Sequence, residues 1–222
     1  MRLLLRAIVA TGDADAATTP DLHVVSAADV AALASPWPER RRAAAEEDLL
    51  EHHRIVQAIF ERVPCLPARF GSIFDDEQTL RERLAARGSD LGAQLARLGH
   101  RCELAITCAW QDELEETRPL APANSGRAYM ERGRERARLQ DAREARAREI
   151  VARLTVELAI DPALIRHRTC PRPAVAVSMS ALVTRDEMAE VSSRVERLGK
   201  QLPDVTTIVQ GPWAPYTFAV NE

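Results

Sequence analysis

Beyond residue 100 the spacing of apolar residues switches between a period of two and a period near 3.6, and the order of the switches leaves few folds open. "RCELAITCAW" (101–110) alternates: Cys102, Leu104, Ile106, Cys108 and Trp110 face one way, and Glu103, Ala105 and Thr107 the other. That is the pattern of a half-buried strand. A long Arg/Glu/Ala-rich helix follows from about Gly126 to Leu158. "LIRHR" reads as a strand. "AVAVSMSALV" is another, with Val175, Val177, Met179 and Val183 on one face and Ala176, Ser178 and Ser180 on the other. "TRDEMAEVSSRVERLGKQ" is an amphipathic helix capped by Thr184, and "DVTTIVQ" is a last strand. The order β-α-β-β-α-β is that of a ferredoxin-like fold, an antiparallel sheet with helices on one face. The other face carries Ala, Ser and Thr. Such small residues let another chain approach closely, so this face is a bed for the C-terminal tail or for a partner.

The first hundred residues form a separate α+β unit. "RLLLRAIV" (2–9) is a buried first strand and "DLHVVS" a short second one. "SAADVAALAS" then reads as a short helix capped by Ser26 and ended by Pro36. From Glu39 to Val63 an apolar helical face runs through Ala45, Leu49, His52, Val56, Ile59 and Val63. "PCLPARFGSIF" is a short extended segment leading into a tight loop. Asp75 or Asp76 caps a second long helix, whose stripe is Leu80, Leu84, Leu91, Leu95 and Leu98. Gly88-Ser89 is expected to bend that helix, and Gly99 to end it. The expected organisation is an α+β chain in two domains, 1–99 and 100–210. The second carries a long charged helix at about 126–158, and an aromatic tail follows at 211–222.

Several functional classes find little support. The net charge is −3, so no global field recruits nucleic acid or an anionic membrane. A ferredoxin-like RNA-binding module would also need exposed aromatics on its central strands, where this chain has Ala, Ser, Thr and Cys. The opening "MRLLLRAIVATGDADAA" is too broken for a signal peptide, and no stretch approaches a membrane span. A cytoplasmic protein with free thiols at Cys65, Cys102, Cys108 and Cys170 is expected. Cys102 and Cys108 share a strand face but lie about 20 Å apart by strand rise, too far to bridge. No metal or cofactor is expected: His52 and His53 are adjacent, so one helix face cannot present both to a metal.

Arg69, Gly71 and the helix start after Phe74 could cradle an anion, but the Gly-rich spacing of a phosphate loop is missing. The plainer expectation is that Gly71 supplies a turn, Phe70 and Phe74 fill the core, and Arg69 pairs with an acid. "QDELEE" (111–116) is read as a solvated loop. From Arg127 to Arg148 nearly every second residue is charged, so this part of the long helix projects into solvent or meets a partner.

Three of the nine aromatic residues, Trp213, Tyr216 and Phe218, fall in "GPWAPYTF". Termini fray unless tied down, and large aromatics bury much surface. Pro212 and Pro215 lower the entropy cost of holding this segment extended. Trp213, with Tyr216 or Phe218, is therefore expected to be mostly buried near the domain junction.

Two blocks also carry a family resemblance. "VPCLPARFGSIFDDEQTLRERL" resembles the L-P-x-R-F-G-T-V-F block of the gas vesicle accessory family GvpF/GvpL. Leu66, Pro67, Arg69, Phe70, Gly71, Phe74 and Glu77 match, while Ser72 and Ile73 replace Thr and Val. "GPWAPYTFA" resembles that family's closing G-P-W-P-P-Y-S-F. Gly211, Pro212, Trp213, Pro215, Tyr216 and Phe218 match, while Ala214 and Thr217 depart from it. "SGRAYM", "HHRIV" and "ALVTRDEM" are similar to further family segments in the right order. The resemblance implies a non-enzymatic protein of gas vesicle assembly. Its N-terminal domain would have an unusual α+β fold, and its C-terminal domain would be a modified ferredoxin-like one with a helical extension, the tail packing the two together. It implies as partners the apolar shell protein GvpA and other accessory proteins, and a location at the gas vesicle. The alternative from another class is a ligand-binding or hydrolytic enzyme using Arg69 and His53.

Overall fold

The computed structural model describes residues 1–38, 45–111 and 126–219; "QDELEE" beyond Gln111 lies outside them, as do residues 39–44 of the expected first long helix. Two compact units divide the chain. One contains Met1–Glu103 and Pro212–Glu222, the other Leu104–Gly211.

The first unit is built on strand β1 (Arg2–Ala10), whose residues from Leu3 to Val9 are all buried. A strand buried on both faces is apolar nearly throughout rather than alternating, and Arg6 is the exception here. β1 sits inside a sheet: β2 (His23–Ala27) pairs β3 (Val30–Trp37), β3 pairs β1, and the short β4 (Leu66–Pro67) and β5 (Ile73–Phe74) pair the other side of β1. The β1–β3 register slips between Leu5 and Ala7. This bulge sets Arg6 apart from the ladder. Its side chain is only 4% exposed, and its Nε donates to Ser35 Oγ at 2.8 Å.

β3 corrects the expected helix at 26–35. The chain turns instead at Ala28, whose φ is +52°, and Val30 to Ala34 are wholly buried. Alanine favours a helix by only tenths of a kcal/mol per residue. Two ladders of hydrogen bonds, to β1 and β2, outweigh that. The small side chains also admit a close neighbour: a Cβ at Gly88 would lie 3.4 Å from that of Ala28.

α1 (Ala14–Ala17) is a single turn. α2 (Glu46–Arg62) begins with three acids, and Asp48 Oδ2 accepts from Ala45 N at 2.9 Å. Its buried face is Asp48, His52, Val56, Ile59 and Phe60. Leu49, expected on that face, is 49% exposed. The capping carboxylate takes the inward position at that level. α3 (Glu77–Leu98) starts as expected at Asp76, which accepts from Thr79 N and Oγ1, both at 2.8 Å. All five leucines of its stripe are buried, the helix runs unbroken past Gly88-Ser89, and Gly99 ends it at φ +52°.

The second unit follows the expected order: β6 (Arg101–Trp110), α4 (Gly126–Leu158), β7 (Ile165–Arg172), β8 (Val175–Thr184), α5 (Met188–Gly199) and β9 (Val205–Trp213). The sheet order β7-β8-β6-β9 places the first and third strands side by side in the middle, as a ferredoxin-like fold requires. Thr184 and Glu187 cap each other ahead of α5: Thr184 Oγ1 donates to Glu187 Oε2 at 2.7 Å, and Glu187 N donates to Thr184 Oγ1 at 3.3 Å. Arg146 of α4 grips Asp204 with Nε and Nη2 at 2.7 and 2.8 Å, a bidentate pair that fixes the helix direction.

One contact yields a test. Gly→Ala near a helix end usually stabilises by reducing unfolded-state entropy. At Gly199 a Cβ would come 2.8 Å from Thr207 Cβ, closer than packing allows. Gly199→Ala is therefore expected to lower the melting temperature, and a rise would show that α5 and β9 are less tightly packed than described.

Candidate functional site

The RFG block and, from Pro212 on, the aromatic block fall in the first unit. In the RFG block, Gly71 adopts φ +93°, which glycine supplies without steric cost. The turn is closed by Ser72 N donating to Arg69 O at 3.2 Å. Backbone bonds on either side tie the block to β1: Ala68 N donates to Arg6 O and Leu5 N to Ser72 O, both at 2.9 Å. Phe70 sets its ring edge-on to Trp37 and His52, with centroids at 6.2 and 5.5 Å. Phe70 and Phe74 are half-buried, so they cover the flank of the core rather than fill it. Two-residue strands leave them at the sheet margin. Arg69 is exposed, and among the described residues no acid pairs with it; Asp75, the nearest candidate in the block, faces Arg2 at 3.3 Å.

His52 is buried and accompanies this block. One ring nitrogen, Nε2, sits 2.9 Å from the Ala68 carbonyl, so the neutral ring carries its proton there and donates it. Burial lowers the pKa of His52, and the nearby Arg6 charge lowers it further. A base whose folded pKa is depressed contributes stability above its unfolded pKa and loses it as pH falls. Acidifying from about pH 6.5 downward is expected to destabilise the protein, and His52→Gln to flatten that slope. An unchanged slope in urea titrations across this range would place the acid sensitivity elsewhere.

The tail lies against the same unit. Gly211, inside β9, adopts φ +146°, which glycine supplies without steric cost. Gln57 of α2 then holds the backbone on both sides of Trp213: its Nε2 donates to Pro212 O at 3.0 Å, and its Oε1 accepts from Ala214 N at 3.2 Å. The His53 ring meets Trp213 at 5.4 Å, tilted, and Tyr216 at 6.2 Å, nearly parallel. Pro215 starts a tight turn, its carbonyl accepting from Phe218 N and Ala219 N at 3.1 and 3.0 Å. Glu103 accepts from Thr217 twice, from N at 2.9 Å and Oγ1 at 2.6 Å. Arg97 of α3 donates to the Phe218 carbonyl at 3.2 Å. Phe218 is 3% exposed, and Ala214 and Pro215 are buried. Burial also pushes the Tyr216 hydroxyl pKa up. Trp213, expected to be mostly buried, is only half-buried; Phe218 is the anchor, because it follows the turn that drives the chain inward.

Sequence reasoning found the tail but not its receptors. Gln57 and Arg97 look like ordinary surface residues of amphipathic helices. Glu103 gave a signal: a carboxylate two residues inside the strand, followed on its face by the small Ala105 and Thr107. Of the proposed catalytic pair, His53 is packed on Trp213 and Tyr216, and Arg69 lies in a separate exposed turn.

This arrangement defines a two-unit α+β protein whose two most distinctive motifs are both used internally, one to brace β1 and the other as the C-terminal segment that the first unit holds. The chain belongs to the family described as gas vesicle synthesis protein GvpL/GvpF, whose sequence profile matches residues 7–220. It is 31% identical over 186 residues to gas vesicle protein L of Streptomyces sp. (strain CB03234), covering 78% of this chain and 69% of that protein. Two solved structures share its fold. The gas vesicle protein GvpF of Anabaena sp. PCC7120 gives a TM-score of 0.77 at 16% identity, covering 100% of this chain and 97% of that one. GvpF of Microcystis aeruginosa gives 0.72 at 17% identity, covering 99% of each chain. Family membership supports a role in gas vesicle formation, in an accessory family rather than a known enzyme family. Among the described residues no helix is long and apolar enough to cross a membrane, and no group of three or more His, Cys, Asp or Glu could hold a metal ion.

Proposed function

We propose that this protein works by binding rather than by catalysis. It escorts the gas vesicle shell protein GvpA during assembly, together with other accessory gas vesicle proteins, at the gas vesicle and in the cytoplasm. Its tail is an internal strap held by residues of the first unit. The observation that carries this reading is that both family motifs are spent on internal structure: the RFG turn braces β1, and Gln57, Glu103 and Arg97 take up the tail's polar groups. The physical need for an escort is plain, since an apolar shell monomer aggregates unless its surface is covered before assembly.

The hydrolytic alternative asks His53 to reach a substrate while its ring packs on Trp213 and Tyr216. A thermal-shift screen with nucleotides and metals addresses it, because a bound ligand raises stability by mass action. Co-expression with the shell protein tests the escort. Co-purification of the two at matched expression is the expected outcome, and recovery of this protein without shell protein would refute it.

A further inference from the structure

The long helix α4 has one face whose role the fold uses only in part. Tyr129, Arg132, Arg136, Leu139, Arg143 and Arg146 follow one another at steps of three, four, three, four and three, the spacing that keeps residues on one seam of a helix. The stripe continues into Ala147, Ile150, Leu154 and Leu158, which are buried in the second unit's core. So the seam that packs α4 into its unit runs on, toward the helix start, beyond the packed region.

What the seam does inside the unit shows its chemistry. Arg146 takes the Asp204 carboxylate with two hydrogen bonds. One turn earlier, the Arg143 guanidinium lies 5.6 Å from the Trp110 ring centroid, within cation–π range. Further out, the same mixture of cations and apolar groups is presented to solvent. Tyr129 is 72% and Leu139 50% exposed, and Arg136 is exposed. The acids Glu131, Glu135, Asp141 and Glu144 all fall off this seam. From residue 127 to 138 there are five Arg and two Glu, on a chain whose net charge is −3.

We infer that the outer part of the α4 seam, Tyr129 to Leu139, docks an acidic amphipathic helix of a partner protein. The span is about 15 Å at 1.5 Å per residue, close to three turns. A carboxylate of that helix would meet Arg136, as Asp204 meets Arg146, and apolar residues three and four positions away would cover Tyr129 and Leu139. A second copy of this chain does not fit, because its own seam would set arginine against arginine. A nucleic acid matches the charge but offers nothing at helical spacing to Leu139, and the chain's negative total works against it. The inference rests on α4 alone, and it stands or falls independently of the shell-protein reading.

The test uses the full-length protein and a fluorescein-labelled four-heptad peptide, with Leu at one seam position and Glu at the other and on its flanks. The control peptide has Lys in place of Glu. Fluorescence anisotropy is expected to show saturable binding of the acidic peptide only, weakening about tenfold or more between 50 and 300 mM salt as charges are screened. Arg136→Glu should weaken it about tenfold, with the melting temperature unchanged because the residue is exposed. Arg134→Glu makes the same charge change off the seam and should leave most of the binding. Equal losses from the two substitutions would reduce the effect to net charge and overturn the proposal. So would equal binding of the two peptides, no binding of either, or tighter binding of a DNA duplex of matched length.

Discussion

Phe218→Ala is expected to destabilise the protein by about 3–5 kcal/mol, the usual cost of truncating a buried large aromatic. At 3% exposure its ring is as enclosed as the core leucines, and its carbonyl is held by Arg97. Truncating the ring loses its apolar burial and leaves a cavity that the turn at Pro215 cannot close, since two backbone bonds fix that turn. Trp213→Ala should cost less, because Trp213 is only half-buried and packs mainly on the His53 ring. Chemical denaturation of both variants checks the ranking, and an inverted order would move the anchor back to the tryptophan.

The second large effect is at Glu103. Its carboxylate is buried at 6% exposure and accepts both the amide and the hydroxyl of Thr217. Hydrogen bonds to a charged group contribute about 1.5–3 kcal/mol, and removing one partner leaves the other to bear its desolvation. Glu103→Ala should therefore cost about 2–3 kcal/mol, more than an exposed Glu→Ala. A double-mutant cycle with Thr217→Ala isolates the pair. Substantial coupling is expected, and strictly additive losses would mean that Glu103 acts through other neighbours.

How far the sequence reached depends on what kind of physics fixed each element. The second unit was legible because its strands alternate and its helices carry clean stripes: "RCELAITCAW" could hardly be anything but a half-buried strand. β3 was not, because "ADVAALAS" has no alternation to read. Val30 to Ser35 are all buried, and the choice between helix and strand was made by pairing with β1 and β2, not by local preference. Leu49 was misassigned for a similar reason, since the cap formed by Asp48 took the inward position. In the site, aromatic density gave away the tail, and Gly71 gave away its turn. Gln57 and Arg97 left no trace, because a side chain that accepts a peptide backbone needs only the right position on a helix face.

The central claim is that the C-terminal motif is an internal strap, held in place without any partner. Amide hydrogen exchange on the isolated, full-length protein tests this most directly. The amides of Ala214, Thr217, Phe218 and Ala219 all donate within the chain, to Gln57, Glu103 and Pro215, so they should exchange slowly, with protection lost together on Phe218→Ala. Exchange at free-peptide rates in the unmodified protein would contradict the account and make the segment a free peptide available to a partner.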